Sequence, residues 1–168
     1  MTATAGVGLE KALATAYRHL NRRECTQAEM RQRLERARID PPDVEQAIAT
    51  LIEQGYLDDA RFARLFAQDK RELEQWGSDR IRQALLTRGV PAELVDDALA
   101  GQAGESEIER ALALLRSRFP APANDRRERE RALGVLLRKG YDSDVALEAI
   151  AAHARETLPN PAGDLDDA

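Results

Sequence analysis

The chain is poor in the side chains that build chemical sites. One cysteine, Cys25, and two histidines, His19 and His153, stand among 168 residues. A lone cysteine closes no internal disulfide and fits a reducing compartment. Neither C-x-x-C nor H-x-x-x-H occurs, so the convergent ligands of a zinc site are not in view, and no metal or other cofactor is expected. Cys25 near His19 reads as structural rather than as a nucleophile and its base. Neither G-x-x-x-x-G-K-[ST] nor G-x-G-x-x-G is present, which removes the loops that cradle nucleotide phosphates. Aromatics make up only 4%, so a core must come mostly from Leu, Ala, Ile and Val. No run of about 18 apolar residues exists, so no helix is expected to span a membrane. The opening MTATAGVGLEKALATAYRHL lacks a basic segment leading into an unbroken apolar stretch, and no signal peptide is expected. These absences point to a cytoplasmic protein that is not an enzyme.

What is present is helical. The chain is 43% hydrophobic and 33% charged, enough apolar material for a core and too much for general disorder. Leu9, Leu13, Ala16, Tyr17 and Leu20 recur at three- and four-residue steps, which predicts one helix face. Thr26 and Glu29, and again Ser106 and Glu109, have capping-box spacing. Pro41 or Pro42 and later Pro91 suit first helical turns. Asp58, Ser78, Asp125 and Ser143 are expected N-caps, and Gly55, Gly89 and Gly140 expected stops. Asp58-Asp59 and Asp96-Asp97 lie at or in these helices, where capping and solvation explain them. Nine helices and no alternating strand result, so the fold class is all-α.

The helices repeat. Leu34, Leu85 and Leu136 are spaced by 51 (85−34, 136−85), and at the same offset AIA (47–49), ALA (98–100) and AIA (149–151) superpose. So do Arg38-Ile39, Gly89-Val90 and Gly140-Tyr141. The chain therefore reads as three tandem three-helix repeats, 9–57, 58–104 and 105–156, flanked by a disordered N-terminus (1–8) and an acidic disordered tail (157–168). Units this small need neighbours, so they are expected to stack into an elongated, curved array.

Charge follows the repeat. The net charge of −5 argues against a general nucleic-acid coat. Yet residues 40–60 carry six acids and no base, and the matching third helices are acidic again. The first and second helices are rich in arginine. Stacked in register, the units would present a basic track and an acidic one, able to lie along something anionic. The same pattern also fits solvated faces with weak pairs such as Glu128–Arg131. The second and third helices resemble a helix-turn-helix, but their candidate recognition helices are acidic, which disfavours base reading.

The stretch GYLDDARFARLFAQDK, residues 55–70, decides between a partner surface and a core helix. Phe62, Phe66, Leu73 and Trp76 fall on one stripe, with Arg61, Arg64, Lys70 and Arg71 away from it. This predicts a core-facing apolar stripe and a basic outer face. Gly55-Tyr56 reads as a helix stop sealed by an apolar residue.

Here the chain resembles the RecX family of bacterial regulatory proteins. Gly55, Tyr56, Leu57, Asp58, Asp59, Phe62 and Ala63 match its central signature, as do Gly77, Arg80, Ile81, Leu85, Arg88, Gly89 and Val90. LLRKGYDSDVALEAI is similar to the family's third repeat, and the resemblance covers roughly residues 9–156. It implies a non-enzymatic regulator of DNA repair and recombination. Such a protein binds the RecA recombinase filament on single-stranded DNA and inhibits its ATPase, strand-exchange and co-protease activities. A monomer is expected, with weak direct DNA contact left open. From the charge pattern, the contact set is Arg61, Arg64, Lys70, Arg71, Arg80, Arg82 and Arg88. Two rivals remain: a helix-turn-helix-like regulator acting on duplex DNA directly, and a helical scaffold for an unrelated protein.

Overall fold

The computed structural model describes residues 3–100, 106–123 and 125–156, with side chains from Gly6 onward. Their regular structure is entirely α-helical, in chain order α1 (Ala3–Leu20), α2 (Gln27–Arg36), α3 (Pro41–Glu53), α4 (Asp59–Glu74), α5 (Ser78–Thr87), α6 (Ala92–Ala100), α7 (Glu107–Arg118), α8 (Arg126–Lys139) and α9 (Ser143–Glu156). The first helix begins at Ala3, inside the stretch expected to be disordered. The acidic tail, 157–168, lies outside the described residues.

Local chemistry explains most boundaries. Thr26 and Ser106 each form a full capping box with Glu29 and Glu109, and the Asp125 side chain accepts from Glu128 N. Asp58 Oδ1 accepts from Arg61 N at 2.8 Å, as an N-cap should. Two expected caps sit one residue early. Gly77 O takes the first helical bond of α5, from Ile81 N, and Asp142 O takes that of α9, from Ala146 N. Ser78 and Ser143 are therefore already helical.

The 51-residue repeat is also a geometric repeat. Ile39 N donates to Leu34 O, Val90 N to Leu85 O and Tyr141 N to Leu136 O, at 3.2, 3.1 and 3.1 Å. Each is the six-to-one bond of a Schellman stop, which needs a left-handed residue just before the donor. That residue is Arg38 (φ 57°), Gly89 (φ 80°) or Gly140 (φ 88°). The leucines behind these stops are fully buried, each contributing about 2 kcal/mol by removal from water. Val44, Val95 and Ala146 are buried one helix later at the same offset, as are Ala47, Ala98 and Ala149. The arrangement is all-α and repeated.

The compact units do not follow the repeats. Among the described residues, one unit comprises 3–69 with 82–100, the other 70–81 with 106–123 and 125–156. In unit 1, α1 and α2 pack on α3 around Ala12, Ala16, Met30, Leu34, Val44 and Leu51. In unit 2, α7 and α8 pack on α9 around Leu114, Leu115, Leu136, Tyr141 and Ile150.

The stripe expected on α4 is corrected. Phe62 is buried, but Leu73 is 79% exposed, whereas Arg71 is only 7% exposed. The buried line runs Ala63, Ala67, Arg71 at four-residue steps, so small side chains rather than rings set the inner face. The helix ends at Glu74 and Gln75 turns left-handed (φ 54°). Trp76 thus leaves the helical path and cannot extend the stripe.

Candidate partner-binding surface

The expected contact set is divided between the units: Arg61, Arg64, Arg82 and Arg88 in unit 1, Lys70, Arg71 and Arg80 in unit 2.

Of the four in unit 1, Arg64 alone is exposed with no ion pair among the described residues. Both terminal nitrogens of Arg61 donate to Gly55 O at 3.2 Å, tying α4 to the preceding helix stop. Arg82 pairs with Asp96. The same pair recurs one repeat earlier as Arg31–Glu45 at 2.6 Å (82−31 and 96−45 both equal 51). In the third repeat the two places are taken by Leu133 and Leu147.

Arg88 is built into the unit. Its Nε and Nη2 donate to Glu29 at 2.7 and 3.0 Å, and its guanidinium lies 4.5 Å from the Phe62 ring centroid and 5.6 Å from that of Phe66. Arg88 O accepts from the Thr26 hydroxyl at 2.7 Å. Burial pushes the Glu29 carboxyl up, but the hydrogen bonds from Arg88 and from Thr26 N–H outweigh it and leave its pKa below the ordinary value. A bidentate, ring-backed arginine of this kind is a strong local tie.

In unit 2, Lys70 pairs with Glu74 and sits 4.7 Å from the Trp76 ring, and Arg80 approaches the same indole at 4.1 Å. Arg80 also donates to Arg138 O at 3.1 Å. Arg71 is buried and donates to Ser78 Oγ at 3.3 Å, while Ser78 N donates to Glu107 at 2.6 Å. Burial, and then the nearby Arg110, lower the Arg71 pKa against the pull of Glu107. Arg71 is therefore placed inside the unit rather than on the outer face expected for it.

Sequence reasoning treated Asp59 as a solvated cap residue. It is 5% exposed, and its Oδ1 accepts from Gln27 N at 2.9 Å. Burial raises its carboxyl pKa, with that hydrogen bond opposing. Nothing local could reveal this, because the donor lies 32 residues away. Cys25 is buried, and burial, aided by Glu29, pushes its thiol up to about 11, so the sulfur is protonated at neutral pH. Among the described residues no group of His, Cys, Asp and Glu gathers that could hold a metal, and no helix is long and apolar enough to cross a membrane.

Residues 12–51, 58–99 and 105–150 match the first, second and third three-helix domains of RecX. The chain belongs to the RecX family of regulatory proteins. It is 38% identical over 153 residues to the regulatory protein RecX of Deinococcus radiodurans, covering 91% of this chain and 73% of that one. It is 37% identical over 161 residues to that of Halorhodospira halophila, covering 95% and 98%. Among solved structures it resembles RecX from Lactobacillus salivarius, with a TM-score of 0.78 at 20% identity over 88% of this chain and 97% of that one. A second regulatory protein RecX gives 0.72 at 22%, over 91% and 74%. At those identities the likeness is one of fold.

The residues that carry the RecX signature here are mostly fold-making. Gly55 and Gly89 are left-handed stops. Leu57, Ala63, Ile81, Leu85 and Val90 are buried, Asp58 is a cap, Asp59 a buried acceptor and Arg88 the partner of Glu29. A Cβ at Gly77 would collide with Gly140 O, so the backbones of these two residues meet there. Tyr56 differs from expectation: it is half exposed, with its ring edge-on to Tyr17 at 5.3 Å.

Proposed function

We propose that this RecX-family protein is a non-enzymatic regulator that binds the RecA filament on single-stranded DNA. There it inhibits ATP hydrolysis, strand exchange and co-protease activity. It works as three repeats bounded at 9–57, 58–104 and 105–156, in the cytoplasm, as a monomer. Family membership across all three domains is the observation that carries the reading. Repeated basic helices and a protonated, buried cysteine agree with a protein that acts by contact.

The proposed contact set remains Arg61, Arg64, Lys70, Arg71, Arg80, Arg82 and Arg88. Arg64 and Arg80 are exposed and lead it, whereas Arg71 and Arg88 serve it by holding their units together. The test is RecA ATP hydrolysis on single-stranded DNA, titrated with this protein well below the RecA concentration. Inhibition at low ratio is the expected result. An unchanged rate, with tight binding to bare duplex, would transfer the assignment to a direct DNA regulator.

A further inference from the structure

Unit 2 carries an open groove of about 540 Å³ along the end of α7 and the outer face of α8. Arg118, Arg127, Arg131 and Arg138 line it, and an adjoining recess shares Arg118 and Arg138 and adds Arg80 and Lys139. The one carboxylate in the groove, Glu130, is taken by Arg126 at 2.8 Å. Arg118, Arg127 and Arg131 are exposed and make no ion pair among the described residues.

The groove has a sequence cause. Gly134 sits within α8, where glycine costs about 1 kcal/mol relative to alanine. A Cβ there would come within 3.1 Å of Arg138 Nη1, so the missing side chain makes room for that guanidinium. Unit 1 has a groove at the corresponding place, about 480 Å³, lined by Arg23, Glu29, Arg33 and Arg36 among others. Two repeat lengths separate the pairs Glu29/Arg131 and Gln32/Gly134 (131−29 and 134−32 both equal 102). The third repeat thus places a cation, Arg131, where the first has the carboxylate of Glu29, which Arg88 holds.

Four guanidinium groups beside one pre-empted carboxylate repel one another. They fit a ligand carrying serial negative charge. Guanidinium forks match phosphate oxygens bidentately. Phe119, half-buried, lines the same groove and supplies a ring on which an unpaired base can stack. We infer that the α7–α8 groove of unit 2 binds the phosphodiester backbone of a single-stranded nucleic acid. The inference does not rest on action at RecA.

The test uses the full chain alone, titrated into fluorescein-labelled oligo(dT) of about 20 nucleotides and read by anisotropy at several salt concentrations. R127E/R131E/R138E is expected to weaken binding at least about 100-fold and to flatten the salt dependence, each lost phosphate contact removing about 0.7 from the log–log slope. R127Q/R131Q guards against misfolding and should lose about tenfold, with unchanged helicity by circular dichroism. R33E/R36E, in the unit 1 groove, should bind nearly as wild type, and F119L should weaken oligo(dT) more than duplex of equal length. Wild-type affinity in the α8 variants would overturn the proposal, as would an equal loss in R33E/R36E. Equally tight binding of labelled poly-glutamate would also overturn it, assigning the groove to an acidic protein.

Discussion

Glu29 shows how much one side chain carries here. It closes the capping box of α2 through Thr26 N and holds Arg88 with both oxygens. Its folded pKa lies below the ordinary 4.5, so its contribution is complete above that value and is lost as pH falls through the depressed one. Asp59 has the opposite sign. Burial raises its pKa above 3.8, so its favourable share is present below that value and is lost as pH rises through the folded one. Urea denaturation across pH 3 to 7 should separate the two. Glu29→Gln loses about 2 kcal/mol at neutral pH and flattens the acid limb. Asp59→Asn keeps an acceptor for Gln27 N–H without a buried charge, and is expected to hold or gain stability at pH 7. Equal losses in the two variants would contradict this account.

At the scale of the element, three equivalent stops use the same bond with different residues. Gly89 and Gly140 adopt positive φ without cost, whereas Arg38 must hold a Cβ at φ 57°. Arg38→Gly is therefore expected to stabilise unit 1 by about 0.5–1 kcal/mol. Gly89→Ala should destabilise it by more than that, because the new Cβ would also collide with Ala28 Cβ. Thermal melts of the two variants moving in opposite directions is the readout; parallel shifts would mean that the stops are not equivalent. The caps at Thr26, Ser106 and Asp125 were legible because capping is decided within four residues. Ser78 and Ser143 were misplaced by one because Gly77 and Asp142 supply the first helical carbonyls instead.

For the whole molecule, the proposed regulatory surface must be tested without unfolding its supports. Arg64 is exposed and Arg71 is buried. Arg64→Glu is expected to weaken inhibition of RecA ATP hydrolysis about tenfold with an unchanged melt, a charge-reversal effect of roughly 1–2 kcal/mol. Arg71→Glu should unfold unit 2, since a buried carboxylate would replace the cation beside Ser78. Identical loss of inhibition and of helicity in both would remove Arg64 from the contact set.

The helices, their order and the 51-residue period were decided by the sequence alone, because helix periodicity, capping and left-handed stops are short-range. The same local signals identified the RecX family. Tertiary structure decided which charges are free to act. Arg71 and Asp59 look solvated in one dimension, and Arg88 looks like any surface base. Their burial and partners come from residues seven, 32 and 59 positions away. The α7–α8 groove is of the same kind: each arginine was visible, but that several share one groove with a single engaged carboxylate depends on how α7 ends and on the space left by Gly134. Desolvation and pairing are set by the packed surroundings of a residue, and a chain position carries no record of them.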